Sequence, residues 1–381
     1  MINILDKADC CGCSACASIC PTDAIEMEPD TLGFLFPVVD SLKCIGCGRC
    51  EKVCAFNDYY DMSANLSAPL AYAVRHKSIN EVETSRSGAA FIALSDYILG
   101  LGGVVYGAGY TDHFRVIHKR ATSKTECKEF KGSKYTQSDM GTIFKQVRTD
   151  LRDGKLVLFS GTPCQTSGLS SFIDKKLREH LLLVDIVCHG VPSPYFWRDY
   201  LHYMERKVHK IFTSVDFRDK AKFGWAAHFE SFKADSVYIS TSTFRELFYK
   251  HIILRTSCSK CHFTNTRRPS DITLADFWGW EKTDKSFNSD DKGCSLVLVN
   301  TEKGKEVFSS ISNSVNYISA DLKNCMQPAL EHPFPAHKDR SKFEKYYNLF
   351  GFKFVLLLYG NVGPLHKLRS LKNRIIELFT I

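Results

Sequence analysis

Cys10-x-x-Cys13-x-x-Cys16-x-x-x-Cys20, with Pro21 behind it, recurs 34 residues later as Cys44-x-x-Cys47-x-x-Cys50-x-x-x-Cys54. Thiolates at i, i+3 and i+6 on a turning loop can reach three corners of one iron–sulfur cube, while the fourth, after a longer step, faces away. In paired runs of this kind the fourth thiolate ligates the other cluster. Cys10, Cys13, Cys16 and Cys54 are therefore assigned to one 4Fe-4S cubane, and Cys20, Cys44, Cys47 and Cys50 to a second. Zinc sites use separated C-x-x-C pairs around a tetrahedral ion, which does not explain a duplicated run of four, and disulfides explain it less well still. Gly12, Gly46 and Gly48 suit a backbone that turns tightly around the sulfides. Cys11 fits neither run and reads as a spare thiol.

The elements that must position these residues follow. Short apolar segments come after each run, at 24–27 and 55–56, and Gly33 to Val38 between the runs reads as a strand. Residues 1–60 form a two-cluster ferredoxin-type module, and the small polar stretch 61–69 reads as a linker. From residue 70 strands alternate with helices. Strands are expected at 71–75, 103–110 and 114–118, and helices at 89–99 and 143–151, the latter stopped by Gly154. Residues 155–160 and 181–187 are continuous apolar runs of the buried-strand type. Helices near 195–207, 243–252 and 302–311 complete a mixed α/β body over 70–345, and the fold class is α+β. Residues 346–381 form a tail. Its Lys367, Arg369, Lys372 and Arg374 alternate with leucines and isoleucines, the pattern either of a basic amphipathic helix making peripheral membrane contact or of one packed on the body. The apolar run 352–359 is too short to cross a bilayer.

Composition bounds the class. A hydrophobic fraction of 44% with 24% charged residues belongs to an ordinary globular protein. No basic region followed by an apolar run opens the chain, and 16 cysteines suit the reducing cytoplasm. Residues 1–60 carry 4 basic and 9 acidic side chains, leaving 46 and 33 of the chain's 50 and 42 for the rest, so an acidic module precedes a body of net charge +13. That charge attracts anions of several kinds, but no nucleic-acid recognition motif accompanies it.

Four further cysteines stand in suggestive contexts. Cys164 lies in Gly161-Thr-Pro-Cys-Gln at the turn after one buried strand, Cys188 ends the next, and Cys258-x-x-Cys261 follows a helix. Adjacent parallel strands end on one side of a sheet, so these four thiolates can converge as ligands of a third cluster. Buried inert cysteines are the alternative. Cys127, Cys294 and Cys325 read as packing residues. His189, beside Cys188, is the candidate catalytic group, as an imidazole that titrates near neutrality.

Ser85-Arg86-Ser87-Gly88, Gly132 to Ser138, Gly161 to Gln165, Cys188 to Pro194, Phe217 to Lys220, the Cys258/Cys261 pair and Ser270 to Gly279 come in an order that resembles the coenzyme F420 hydrogenase/dehydrogenase beta-subunit family over about residues 70–330. The resemblance implies a flavoprotein with FAD close to a 4Fe-4S cluster, and it favours the third cluster on Cys164, Cys188, Cys258 and Cys261. It implies electron exchange between iron–sulfur carriers and a hydride carrier or small organic substrate; some relatives use the deazaflavin F420. Ser87 and Gly88, opening a helix, offer backbone N–H groups to a pyrophosphate, and Ser133, Lys134, Tyr135 and Gln137 add groups for phosphate or ring edges. Ala89 stands where relatives often have a second glycine, and Ala55 where a proline is expected. Arg218, Lys220 and Trp225 are placed at the substrate entrance, with Asp276 and Trp278 bracing the Cys258 loop. The expected protein is an iron–sulfur flavin oxidoreductase served by reduced ferredoxin or a redox partner subunit. The alternative is a non-catalytic electron-transfer subunit.

Overall fold

The two cysteine runs fold alike. Gly12 and Gly46, 34 residues apart, take left-handed φ of 70° and 67°, and Ser14 and Gly48 take 66° and 69°. Each pair leads into a short helix, Ala15–Ile19 and Arg49–Lys52. The sequence repeat is thus a backbone repeat, in which Ser14 bears the left-handed turn that Gly48 makes freely in the second copy. Between the copies, β1 (Ile25–Pro29) pairs antiparallel with β2 (Leu35–Val39). This is a computed structural model, and it describes residues 1–56 and 60–363. The run from Leu365 to Leu378, read above as a surface helix, lies outside the described residues.

The body is built on eight strands. β4 (Val104–Thr111), β6 (Val157–Gly161), β7 (Leu181–Ile186) and β11 (Ile272–Asp276) run parallel at the centre. β5 (Arg115–Ala121) closes one edge antiparallel to β4. On the other side β12 (Ser295–Thr301), β3 (Asn65–His76) and β13 (Val315–Ala320) follow, each antiparallel to its neighbour. The central strands read as unbroken apolar runs because both faces are covered: every residue of β12 and all of Leu181–Asp185 are buried. β3 begins at Asn65, so the second half of the stretch read as a linker is already sheet, paired through Asn65 with Thr301.

A smaller sheet, β8 (Ser214–Asp216), β9 (Glu230–Ala234) and β10 (Val237–Thr241), packs with helices Pro194–Val208, Thr243–Tyr249 and Arg340–Tyr359. Their core is aromatic, with Phe196, Trp197, Tyr200, Phe232, Phe244 and Phe352 all buried.

The N-terminal module shares its core with the body. Ile2, Ala15 and Val53 bury against Phe144, Val147, Leu169 and Phe263 in one cluster. Ser193 Oγ donates to Leu32 O at 2.6 Å, and Phe56 packs on His262 with ring centroids 4.6 Å apart. At the rim, Lys145 pairs with Asp23 at 2.7 Å and Lys260 with Asp6 at 3.0 Å, acidic module to basic body. Exposed pairs of this kind contribute about 0–1 kcal/mol each, so the apolar contact holds the module in place and the charges orient it. Among the described residues no helix is long and apolar enough to cross a membrane.

Candidate functional site: three cysteine sets and a cationic cluster

The first set closes as the spacing predicts. Cys10 feels the charges of Cys13 and Cys54, and Cys16 those of Cys13, Cys10 and Cys54. Burial pushes the Cys10 and Cys16 thiols up, and their neighbours push them further. The second set, Cys20, Cys44, Cys47 and Cys50, lines one cavity with Pro21, Ile45, Gly46 and Gly48. Here Ala24 N donates to Cys20 Sγ and Ile2 N to Cys50 Sγ, both at 3.3 Å. Cys47 is exposed, whereas Cys10, Cys13 and Cys16 are buried, so the second set faces solvent and the first lies inward.

Cys164, Cys188, Cys258 and Cys261 also converge. Cys164 sits in the first turn of helix Pro163–Phe172, after β6, and Cys188 just past β7. The neighbouring parallel strands deliver both to one end of the sheet. Burial raises Cys258 to about 12 and Cys261 to about 11; Cys164 acts on both, and Cys188, well above its ordinary value, feels Cys258, Cys164 and Cys261. Val191 N donates to Cys258 Sγ at 3.4 Å. Four buried sulfurs that oppose one another's ionisation form a donor set whose charge a cationic iron–sulfur core would neutralise. The residues therefore fit such a cluster.

The loop that carries Cys258 and Cys261 is held by buried arginines. Arg268, fully buried, pairs with Asp185 of β7 at 3.0 Å and donates to Phe263 O at 2.5 Å and Ile186 O at 2.9 Å. Arg255 donates to Cys10 O at 2.8 Å and, at 2.9 Å each, to Gln137 Oε1 and Leu35 O. Asp276 and Trp278, expected to brace this loop, stand elsewhere: Asp276 accepts from Arg218 at 2.6 Å, and Trp278 stacks on Trp225 at 4.8 Å. Sequence reasoning missed Arg255 and Arg268, and nothing in their spacing distinguishes them from surface arginines.

Cys11 is fully buried, in hydrogen-bond contact with the sulfurs of both Cys13 and Cys164. It lies between the first and third sets. Two glycines make this approach possible: a Cβ on Gly168 would stand 2.8 Å from Cys13 Sγ, and one on Gly12 would stand 2.8 Å from Arg255 Nη1.

The residues singled out for a flavin fall in three places. Tyr135 packs its ring on His228 at 4.9 Å and Phe248 at 5.0 Å, and it lies near Arg218 and Arg86. Lys134 is buried next door, lowered to about 8 by desolvation, with Nζ 3.0 Å from Lys131 O. Ser133 precedes it, partly buried. Gln137 turns the other way, donating to Cys11 O at 2.9 Å and accepting from Arg255, so it belongs to the wall between the first and third sets. Gly88 is packed so closely that a Cβ would stand 2.0 Å from Val74 O, and Ser87 Oγ donates to Cys294 O at 2.7 Å. Ala89, at φ 63°, precedes helix Ala90–Gly100.

Around Tyr135 positive charge is in excess. Arg86 and Arg218 share the single carboxylate of Asp276. Arg86 Nε and Nη1, Arg218 Nε and Ser85 Oγ are buried without a hydrogen-bond partner among the described residues. Burial, then Arg218, Arg245 and Arg86, drives His228 down to about 3. Buried donors without acceptors are costly, and this group fits an anion. His189 connects it to the third set: beside Cys188, its ring lies 4.8 Å from Phe248 and 3.7 Å from Phe334. His189 Nε2 is 2.8 Å from His251 Nε2, and His251 Nδ1 is 3.1 Å from Pro335 O. A carbonyl only accepts, so Nδ1 of His251 carries the proton, and in the neutral pair His189 donates through Nε2. Burial lowers His189 to about 4, which keeps it neutral at neutral pH.

Fold and cysteine sets together define an iron–sulfur electron-transfer protein of the oxidoreductase kind. Residues 9–57 match the 4Fe-4S dicluster domain, and residues 154–323 match the family described as the C terminus of the coenzyme F420 hydrogenase/dehydrogenase beta subunit. The chain belongs with that beta-subunit family, with a dicluster domain in front. A chain of the F420-reducing [NiFe] hydrogenase complex from Methanosarcina barkeri superimposes with a TM-score of 0.50 at 15% identity, over 77% of this chain and 96% of that one. At that identity the likeness is one of fold. No curated protein matches the chain.

Proposed function

We propose that the protein is an iron–sulfur flavoprotein oxidoreductase that takes single electrons from reduced ferredoxin or a redox partner subunit and hands pairs to a hydride acceptor, either a cofactor such as F420 or a small organic molecule. The observation that carries this reading is the position of the third cysteine set, in contact with the first through Cys11 and with the Tyr135 cluster through His189 and Phe248. Bound 4Fe-4S clusters would pass electrons singly, and a flavin would pair them for a two-electron acceptor.

The chain's own residues supply position and charge. Cys164, Cys188, Cys258 and Cys261 would hold a third cubane. Arg86, Arg218 and Ser85, with their free donors, would take the diphosphate of FAD, and Lys134 and Tyr135 would flank it. Ser87 and Gly88 would shape the turn that presents Arg86. His189, neutral and fixed by His251, would hold or pass a proton through its Nδ1.

Flavin analysis of anaerobically purified protein tests the reading. One FAD per chain is expected, lost from the Arg86→Ala/Arg218→Ala variant while its iron content stays unchanged. Iron without flavin in the unaltered protein would contradict it and favour a protein that only transfers electrons.

A further inference from the structure

Arg255 is 1% exposed and follows Leu254 on the segment that leads to Cys258. It is the one side chain described above that ties the N-terminal module to the third cysteine set by direct hydrogen bonds. Its Nε reaches Cys10 O at 2.8 Å, Nη1 reaches Gln137 Oε1 at 2.9 Å, and Nη2 reaches Leu35 O at 2.9 Å and stands 3.6 Å from Cys10 Sγ. Its plane lies 4.2 Å from the Phe36 ring centroid. The guanidinium is thus fixed at both ends of its fork and shielded from water.

Its charge acts on sulfurs of both sets, Cys10 and Cys13 on one side and Cys164 and Cys258 on the other. Arg268 and Arg340 lie on the third set's side only, by Cys261 and Cys258. The second set, on the exposed face of the module, shows no such neighbour: Cys20 is governed by burial, by backbone N–H groups and by Thr22 and Asp23. A cation in a dry site acts far more strongly than one in water, and net charge and hydrogen bonds around the sulfurs set a cluster's potential.

We infer that Arg255 is a positioning residue shared by two clusters, a fixed cation that raises the reduction potentials of the Cys10/Cys13/Cys16/Cys54 and Cys164/Cys188/Cys258/Cys261 cubanes together and leaves the Cys20/Cys44/Cys47/Cys50 cubane alone. Each cluster gains a negative charge on reduction, so a buried positive charge between two of them favours the reduced form of both. Their potentials are thereby kept close, which lets an electron move between them in either direction. The inference rests on the three-cluster reading.

The test is a redox titration of the full-length holoprotein, followed by electron paramagnetic resonance, comparing Arg255→Gln with the unaltered chain. Two of the three one-electron steps should move to lower potential by at least tenfold in the reduction equilibrium, about 59 mV each, while the third stays where it was. Arg255→Lys keeps the charge and serves if Arg255→Gln fails to load iron; its same two steps should change less than threefold. Three steps that all stay put in Arg255→Gln, or a tenfold fall in Arg255→Lys, would overturn the inference. Only two steps in the unaltered protein would instead overturn the three-cluster reading itself.

Discussion

At the scale of single residues, the site depends on buried charge placed where backbone must be held. Arg268 and Asp185 are both fully buried, and Arg268 also spans Phe263 O and Ile186 O. Burying such a pair adds little net stability against an apolar pair, but removing one member strands the other's charge at a cost of about 3–5 kcal/mol. Arg268→Ala should therefore lower the melting temperature of the holoprotein and make the Cys258/Cys261 loop release its iron sooner under a chelator. A variant that melts and holds iron like the unaltered protein would show that the pair braces nothing. Cys11 belongs at this scale too. Matched against the two runs it is surplus, and only its position beside Cys13 and Cys164 gives it a place between two ligand sets.

Among the elements, the smaller sheet is joined to its helices by a carboxyl in an unusual state. Glu230 of β9 accepts from Phe244 N at 2.9 Å, at the start of helix Thr243–Tyr249, and from Tyr200 OH at 3.2 Å. Burial raises it from 4.5 to about 7. The folded chain therefore holds this proton more tightly than the unfolded chain. The associated stability is complete below the unfolded value and is lost as pH rises to about 7, a change of about 3 kcal/mol. Glu230→Gln cannot ionise, so its melting temperature relative to the unaltered protein should climb between about pH 5 and pH 7. A constant difference across that range would show that Glu230 does not titrate there.

The same scale shows what could be read from the chain alone. Strands β6 and β7 were legible as unbroken apolar runs, and so was the side of the sheet on which Cys164 and Cys188 would meet. Helix Ile143–Arg152 was legible because its apolar residues recur every turn. Strands β8, β9 and β10 were not: Ser231, Lys233, Ser240 and Thr241 interrupt them, and their burial comes from an aromatic core gathered from distant segments. The linker reading of 61–69 failed over Asn65–Pro69 because the small polar residues there lie partly exposed at the start of β3, where sheet pairing outweighs propensity. The ligand sets were legible because metal ligation fixes spacing. The cationic cluster was legible only in part, since Arg86 and Arg218 meet through Asp276 of β11, a contact no local pattern encodes.

For the whole molecule, the N-terminal module is built into the body. The second cysteine set faces outward, the first lies inward against helix Pro163–Phe172, and the third stands between the first and the Arg86/Arg218 cluster. That order gives an entrance at the surface and a destination inside. The most direct measurement of it is iron and acid-labile sulfide per chain in protein purified without air, together with the Cys258→Ser/Cys261→Ser variant. Three cubanes require about twelve irons in the unaltered protein and about eight in the variant. Eight in both would contradict the account.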